Sequence, residues 1–306
     1  MFCSDEAVNN LLNYSKAMIN TINKNSICPE NLRILQYVIF AGMICYYGFE
    51  HINEIYNTFA KTKFTYDNVP VIEILKKYPN NIGDILNYIG DGYESPAFFQ
   101  SNISVLGMNK FKINRSIYIS SYSNYDPVQF LGDVLHEVNH IVNSINGFVV
   151  NHNSKIIFRC GVSLTDYQTQ TTRGRILEET FNTLQTEEIL NQILEFSKYN
   201  IDDIEIKSLL DEIRYAVDTK IECLGYDYSV PIIRPLYENK KFNSILKERR
   251  LDGNVKYIRD EFDSNTCDGL FNELMDSCDK MALEKKSLEH VQKSCKYVYK
   301  YVNSRN

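Results

Sequence analysis

Tryptophan is absent from this chain of 306 residues, so aromatic packing falls to 22 tyrosines and 16 phenylalanines. Cations are in short supply as well: 33 Lys and Arg face 39 Asp and Glu, a net charge of −6. Binding a polyanion requires a positive surface, which excludes nucleic acid as the main partner. No C-x-x-C pair occurs among the eight cysteines, Cys3, Cys28, Cys45, Cys160, Cys223, Cys267, Cys278 and Cys295. Their scatter supports neither a disulfide framework nor a cysteine-bound metal, and they read as reduced thiols, several of them in the core. No hydrophobic run reaches membrane-spanning length. The longest, 34–49, is interrupted by Gln36 and falls short of the roughly 20 residues a span needs, so it reads as a buried helix. The opening residues Met1-Phe2-Cys3-Ser4-Asp5-Glu6 carry neither the basic nor the apolar part of a signal peptide. The expectation is a cytoplasmic protein, with a signal-independent export route left open.

The length is about twice that of a usual single domain, and the pattern along it suggests three regions. Residues 1–95 read as helical: Glu6 to Asn23, a second helix opened by Pro29-Glu30, and short helices at Val71–Tyr78 and Ile82–Ile89. Residues 96–200 contain the β-signals. Ile103-Ser104-Val105 and Ile113 to Tyr122 are rich in β-branched and aromatic residues. Phe148–Val150 and Ile156–Val162 read as a hairpin around a turn at Asn151–Ser154. Residues 201–306 are helical again, and the last helix has an apolar stripe of Leu288, Val291, Cys295, Val298 and Val302. Its lysines, Lys285, Lys286, Lys293, Lys296 and Lys300, read as a solvated face. The expected fold class is α+β, predominantly helical, with the three regions packed as one unit.

One constellation carries chemistry. Leu135-His136-Glu137-Val138-Asn139-His140 contains H-E-x-x-H. On a helix the two histidines lie one turn apart on one face and can grip one metal ion. Glu137 sits about 100° round from His136, placed to reach a metal-bound water without ligating. Neutral imidazoles suit zinc, and a third protein ligand leaves one position for that water. A helix is expected here, with Asp126 as N-cap and Pro127 as first residue. Val128, Leu131, Leu135, Val138 and Val142 form its apolar stripe, and Asp133, His136, Glu137 and His140 share another face. The strand Ile113–Tyr122 precedes it and, as an edge strand, would line a substrate groove.

For a third ligand, the helix beginning at Gly174-Arg175-Ile176-Leu177-Glu178-Glu179-Thr180-Phe181-Asn182 offers two adjacent glutamates. They point about 100° apart, so only one can face the metal. Asp166, in a loop, and His152, in the hairpin turn, compete less well. The metzincin arrangement is ruled out, because Asn143 and Asn146 stand where it needs Gly and His. His51 and His290, in helical stretches, read as structural or surface residues.

With this segment downstream of H-E-x-x-H, the chain resembles the gluzincin metallopeptidases, in particular the thermolysin-like pattern G-x-x-N-E-x-x-x-D. The resemblance implies a zincin core in which Glu178 is the zinc-binding glutamate. Leu177 replaces the usual Asn. Asn182 replaces the aspartate that orients a ligand histidine, and would accept from an imidazole N–H without adding charge. It also implies a Tyr or His donor for the developing oxyanion, for which Tyr167, Tyr226 and Tyr228 are the candidates. The expectation is a zinc metallopeptidase that hydrolyses peptide bonds in a peptide or protein substrate, with Glu137 activating the zinc-bound water. A non-catalytic binding protein that retains a zinc site, or an exported toxin-type protease, is the alternative.

Overall fold

The computed structural model describes residues 4–23, 30–67, 97–107, 110–120, 127–144, 150–152, 155–166, 168–169, 171–217, 225–283 and 287–304. The helices expected at Val71–Tyr78 and Ile82–Ile89, the cap Asp126 and the candidate Tyr167 lie outside them.

Ser4 opens α1 (Asp5–Ile22), its side chain accepting a hydrogen bond from the Ala7 N–H. α1 buries Val8, Leu11, Leu12 and Ile19 against α2 (Glu30–Tyr47). α2 is apolar on nearly every side, and Val38, Ile39, Phe40, Ala41 and Met43 are all fully buried, as such a helix must be in a globular protein. Its Gly42 permits close approach: a Cβ there would lie 2.7 Å from Ile193. A short 3₁₀ turn, Phe49–His51, reverses the chain into α3 (Ile52–Lys61). Among the described residues no single helix is long and apolar enough to cross a membrane.

A three-stranded sheet has the order β1 (Thr62–Asp67), β3 (Lys110–Ser120), β2 (Ala97–Gly107). β3 pairs antiparallel with β2 and parallel with β1, with Phe64 opposite Ile117. The strand expected to form an edge is therefore central. Thr62–Asp67, which the sequence pattern did not suggest, covers its free side.

α4 (Pro127–Ser144) follows and packs on β2. A second sheet is an antiparallel meander of β4 (Val150–His152), β5 (Lys155–Cys160), β6 (Ser163–Asp166) and β7 (Thr171–Arg173). The expected hairpin is present, with Asn151 and His152, expected in the turn, inside its first strand Val150–His152, while Phe148 and Val149 lie outside the described residues.

α5 (Arg175–Phe196) crosses α4. Then come α6 (Ile204–Ala216), α7 (Val230–Tyr237), α8 (Lys240–Leu251), α9 (Lys256–Ser264), α10 (Leu270–Leu283) and α11 (Leu288–Asn303). The described residues form a predominantly helical α+β fold. On α11 the buried face is His290, Ser294, Val298 and Tyr301, while Leu288 and Cys295 are exposed. That face is turned roughly 80° from the expected apolar stripe. The cause is a polar seam against α10, where Ser294 Oγ donates to Ser277 Oγ and Ser277 Oγ to the His290 carbonyl.

Two apolar cores result. One joins α1–α4, α6 and the later part of α5 (Ile189, Leu190, Ile193, Phe196). The other joins the start of α5 (Ile176, Leu177, Phe181, Leu184) to α7–α11. The division between the two cores falls within α5, which belongs to both.

Candidate metal centre

α4 buries Val128, Leu131, Val134, Leu135, Val138, Ile141 and Val142. With those positions facing the core, its other side presents half-buried Asp133, His136 and Glu137, and buried His140. Across from it, α5 is buried on almost all sides, including Glu178, Thr180, Asn182, Thr183, Gln185, Thr186 and Glu187. A buried polar side chain has to find a partner, and the partners of these residues fix how α5 sits on α4. Asn182 Nδ2 donates to the backbone carbonyl of His136 at 2.8 Å. Asn139 Nδ2 donates to Thr186 Oγ1 at 2.9 Å. The start of α5 is held by Asp279 of α10, whose carboxylate accepts from the N–H groups of Gly174 and Ile176 at 2.5 and 2.9 Å.

This docking brings the Nε2 atoms of His136 and His140 to within 3.1 Å of each other, and each to 3.0 Å from Oε2 of Glu179. Glu179, rather than Glu178, is the carboxylate beside the histidines. The expected ligand is turned away: Glu178 pairs with the Arg250 guanidinium, and its Oε2 accepts from the Val162 N–H at 2.8 Å. Room for this comes from Gly161, held at φ +52°, where a Cβ would overlap the Glu178 carboxylate. Asn182 also departs from its expected part. It donates to the peptide carbonyl of His136 instead of accepting from an imidazole.

The charges in the triad reinforce one another. Burial disfavours a charged His140, but the Glu179 carboxylate and the Cys160 sulfur together outweigh it and hold the imidazole well above its ordinary pKa. Burial likewise opposes ionisation of Glu179, and the two histidines overcome it, keeping the carboxyl well below the usual range. Arg175 Nε lies 4.0 Å from Oε1, the other oxygen of Glu179. Burial pushes Asp133, one turn before His136, up to about 6.

The donor set could hold a metal ion. Two imidazole nitrogens and one carboxylate oxygen form a triangle with sides of 3.0 to 3.1 Å. The edge of a tetrahedron of ligands about 2.0–2.1 Å from the ion is about 3.3 Å, a few tenths longer. A second group, His140, Cys160 and Glu178, also has ligand atoms within 4.8 Å of one another. There, however, the Glu178 charge is already neutralised by Arg250. Cys160 instead flanks the other nitrogen of His140, with Sγ 4.0 Å from Nδ1 and 3.4 Å from the His140 carbonyl.

Of the two candidate tyrosines among the described residues, Tyr226 is the one beside His136. Its ring lies parallel to that of His136, at 10° and 6.3 Å between centroids. Tyr228 is one ring further out, 6.3 Å from Tyr226 and packed on the second core. The backbone explains the choice. Tyr226 sits at φ +51°, rare for an aromatic residue, and its carbonyl accepts from the N–H groups of Ser229 and Val230 as α7 begins. Burial and the Glu179 carboxylate raise the Tyr226 phenol well above its ordinary pKa, so it stays protonated. The charge of Glu137 acts on both Tyr226 and Asp133.

Among the described residues, Asp166, His51 and His290 belong to neither group of possible metal ligands. His152 ends β4. Asp166 ends β6 and accepts from the N–H groups of Gln168 and Thr169. His51 precedes α3 and His290 is buried in α11. Two residues at the site had no signature in the sequence: Arg250, which arrives from α8, and Gly161, whose role depends on contact with Glu178. No family model, curated protein or solved structure matches the chain.

Proposed function

We propose that this chain is a zinc-dependent metallopeptidase with a zincin-like core, in which His136, His140 and Glu179 hold the metal. The observation that carries this reading is the convergence of three donor atoms of the right chemistry, both histidine Nε2 atoms lying 3.0 Å from Glu179 Oε2. Zinc bound there supplies an acidified water and a Lewis acid for the scissile carbonyl. The side chains supply the rest. Glu137, outside the ligand set, accepts the proton of the attacking water and returns it to the leaving nitrogen, so that the C–N bond breaks as one water is added. Tyr226, with its phenol proton retained, donates to the developing oxyanion. Its left-handed backbone is consistent with such a role, since strain of about 1–3 kcal/mol tends to persist where function needs it.

The zincin-like reading is supported by a small sheet preceding and packing on the H-E-x-x-H helix, and by a second helix that brings a glutamate across it. Peptide as substrate class follows from the resemblance to gluzincins. The chain departs from that pattern at Leu177, at Asn182 and in which of two adjacent glutamates faces the histidines.

The test combines metal analysis with cleavage of a mixed peptide library by wild type and Glu137→Gln. Both proteins should carry close to one zinc per chain, with cleavage by the variant reduced about 10²–10⁴-fold. A wild-type chain that stays metal-free after zinc reconstitution would sink the reading. Zinc in both proteins with cleavage by neither would leave a zinc-holding binding protein instead.

A further inference from the structure

Two consecutive glutamates at the start of α5 raise a selection problem that the metal site alone does not solve. Either carboxylate could serve as third ligand if α5 rotated by about 100°, and a buried second carboxylate beside a dication would compete for it. The contacts around α5 divide its surface into two faces. Glu178 and Gln185, seven residues apart, share one face. Arg250 holds both, donating from Nη2 to Glu178 and from Nη1 to Gln185 Oε1 at 2.6 Å. Glu179, Asn182 and Thr186 share the adjacent face and meet α4 through the histidines, the His136 carbonyl and Asn139. Arg250 and Glu178 are each 2% exposed, so neither charge is satisfied by water.

We propose that Arg250 is a positioning residue that selects Glu179 as the metal ligand, by neutralising Glu178 and holding it on the neighbouring face of α5. This rests on the metal-site reading above. Arg250 touches none of the three donor atoms, and acts by withholding the alternative carboxylate.

The test is titration of metal-free protein with zinc, and with cobalt for its ligand-field spectrum. The proteins are wild type, Arg250→Gln, Glu178→Gln/Arg250→Gln and Arg250→Lys. Arg250→Gln retains hydrogen-bonding capacity but frees the Glu178 charge. It should bind zinc at least tenfold more weakly, with an altered cobalt spectrum. The double variant buries no unpaired charge and should return to within about threefold of wild type, with the wild-type spectrum. Arg250→Lys keeps the charge on a different head group and should also stay within about threefold. It decides the matter if Arg250→Gln does not fold, because a tenfold loss there would show that the forked geometry, and not the charge, is what counts. Wild-type affinity in Arg250→Gln, or a double variant as weak as the single, would overturn the proposal. Failure of the wild type itself to bind either metal is a different result, and would remove the metal-site reading instead.

Discussion

The side-chain amide of Asn182 donates to the backbone carbonyl of His136 at 2.8 Å, tying α5 to the turn of α4 that carries both histidines. The bond needs a donor at position 182, and Asn182 is fully buried. An aspartate there, although it would match the last residue of the thermolysin-like pattern, has no proton to offer at neutral pH. Asn182→Asp should therefore lower unfolding stability by about 1–3 kcal/mol, the cost of an unmet buried polar group, as measured by urea denaturation of the metal-free protein. Unchanged or increased stability would mean that this bond does not hold the two helices together.

Glu178 and Glu179 should separate cleanly when each is replaced by alanine. Glu179→Ala should be the more damaging for zinc affinity, measured by competition with a chelator. Glu178→Ala should be the more damaging for stability, about 3–5 kcal/mol, because it strands the buried Arg250 charge. The reverse assignment would return the third-ligand role to Glu178.

Tyr226→Phe removes a hydroxyl from the ring parallel to His136. Loss of one oxyanion donor is typically worth about 10²–10³-fold in kcat, and zinc content should not change. Tyr228→Phe, one ring further away, should alter kcat less than about threefold. Equal effects would place the donor elsewhere.

Far from the site, Lys16 Nζ lies 2.6 Å from Asp203, which also caps α6 through the N–H groups of Glu205 and Ile206. Burial works against the Asp203 charge, but Lys16 and the cap overcome it and hold the carboxyl below its ordinary value. A depressed folded-state pKa contributes stability above the unfolded value of about 3.9, and that stability is lost as pH falls through the folded one. Asp203→Asn keeps a good cap but loses the charge. It should be less stable than wild type by up to about 1 kcal/mol at pH 7, with the gap in Tm closing towards pH 3. A constant gap would show that the ion pair contributes nothing.

Elements whose signals are local were legible in the sequence. Pro127 opens α4 and Gly174 precedes α5, as expected from residues within one turn of each boundary. β1 was not legible, because Thr62–Asp67 is short and its only described partner is a parallel strand about 50 residues on. Without that strand, β3 reads as an edge. The histidine pair was readable from spacing, since i and i+4 share a helix face whatever surrounds them. Which glutamate lies beside it was not. One residue of rotation separates Glu178 from Glu179, and Glu178 is held by an arginine 72 residues beyond it. No periodicity within α5 could decide it, because that helix is buried on nearly all sides, polar residues included, and lacks a solvent-facing side to orient it.

α5 gives its first half to one apolar core and its second half to the other. Melting either core alone would strip half of this helix of its packing, so a calorimetric scan should resolve one transition rather than two. Glu179 stands in the first turns of the same helix. A ligand gripping it would raise the melting temperature of both ends of the chain together, although it touches only the middle.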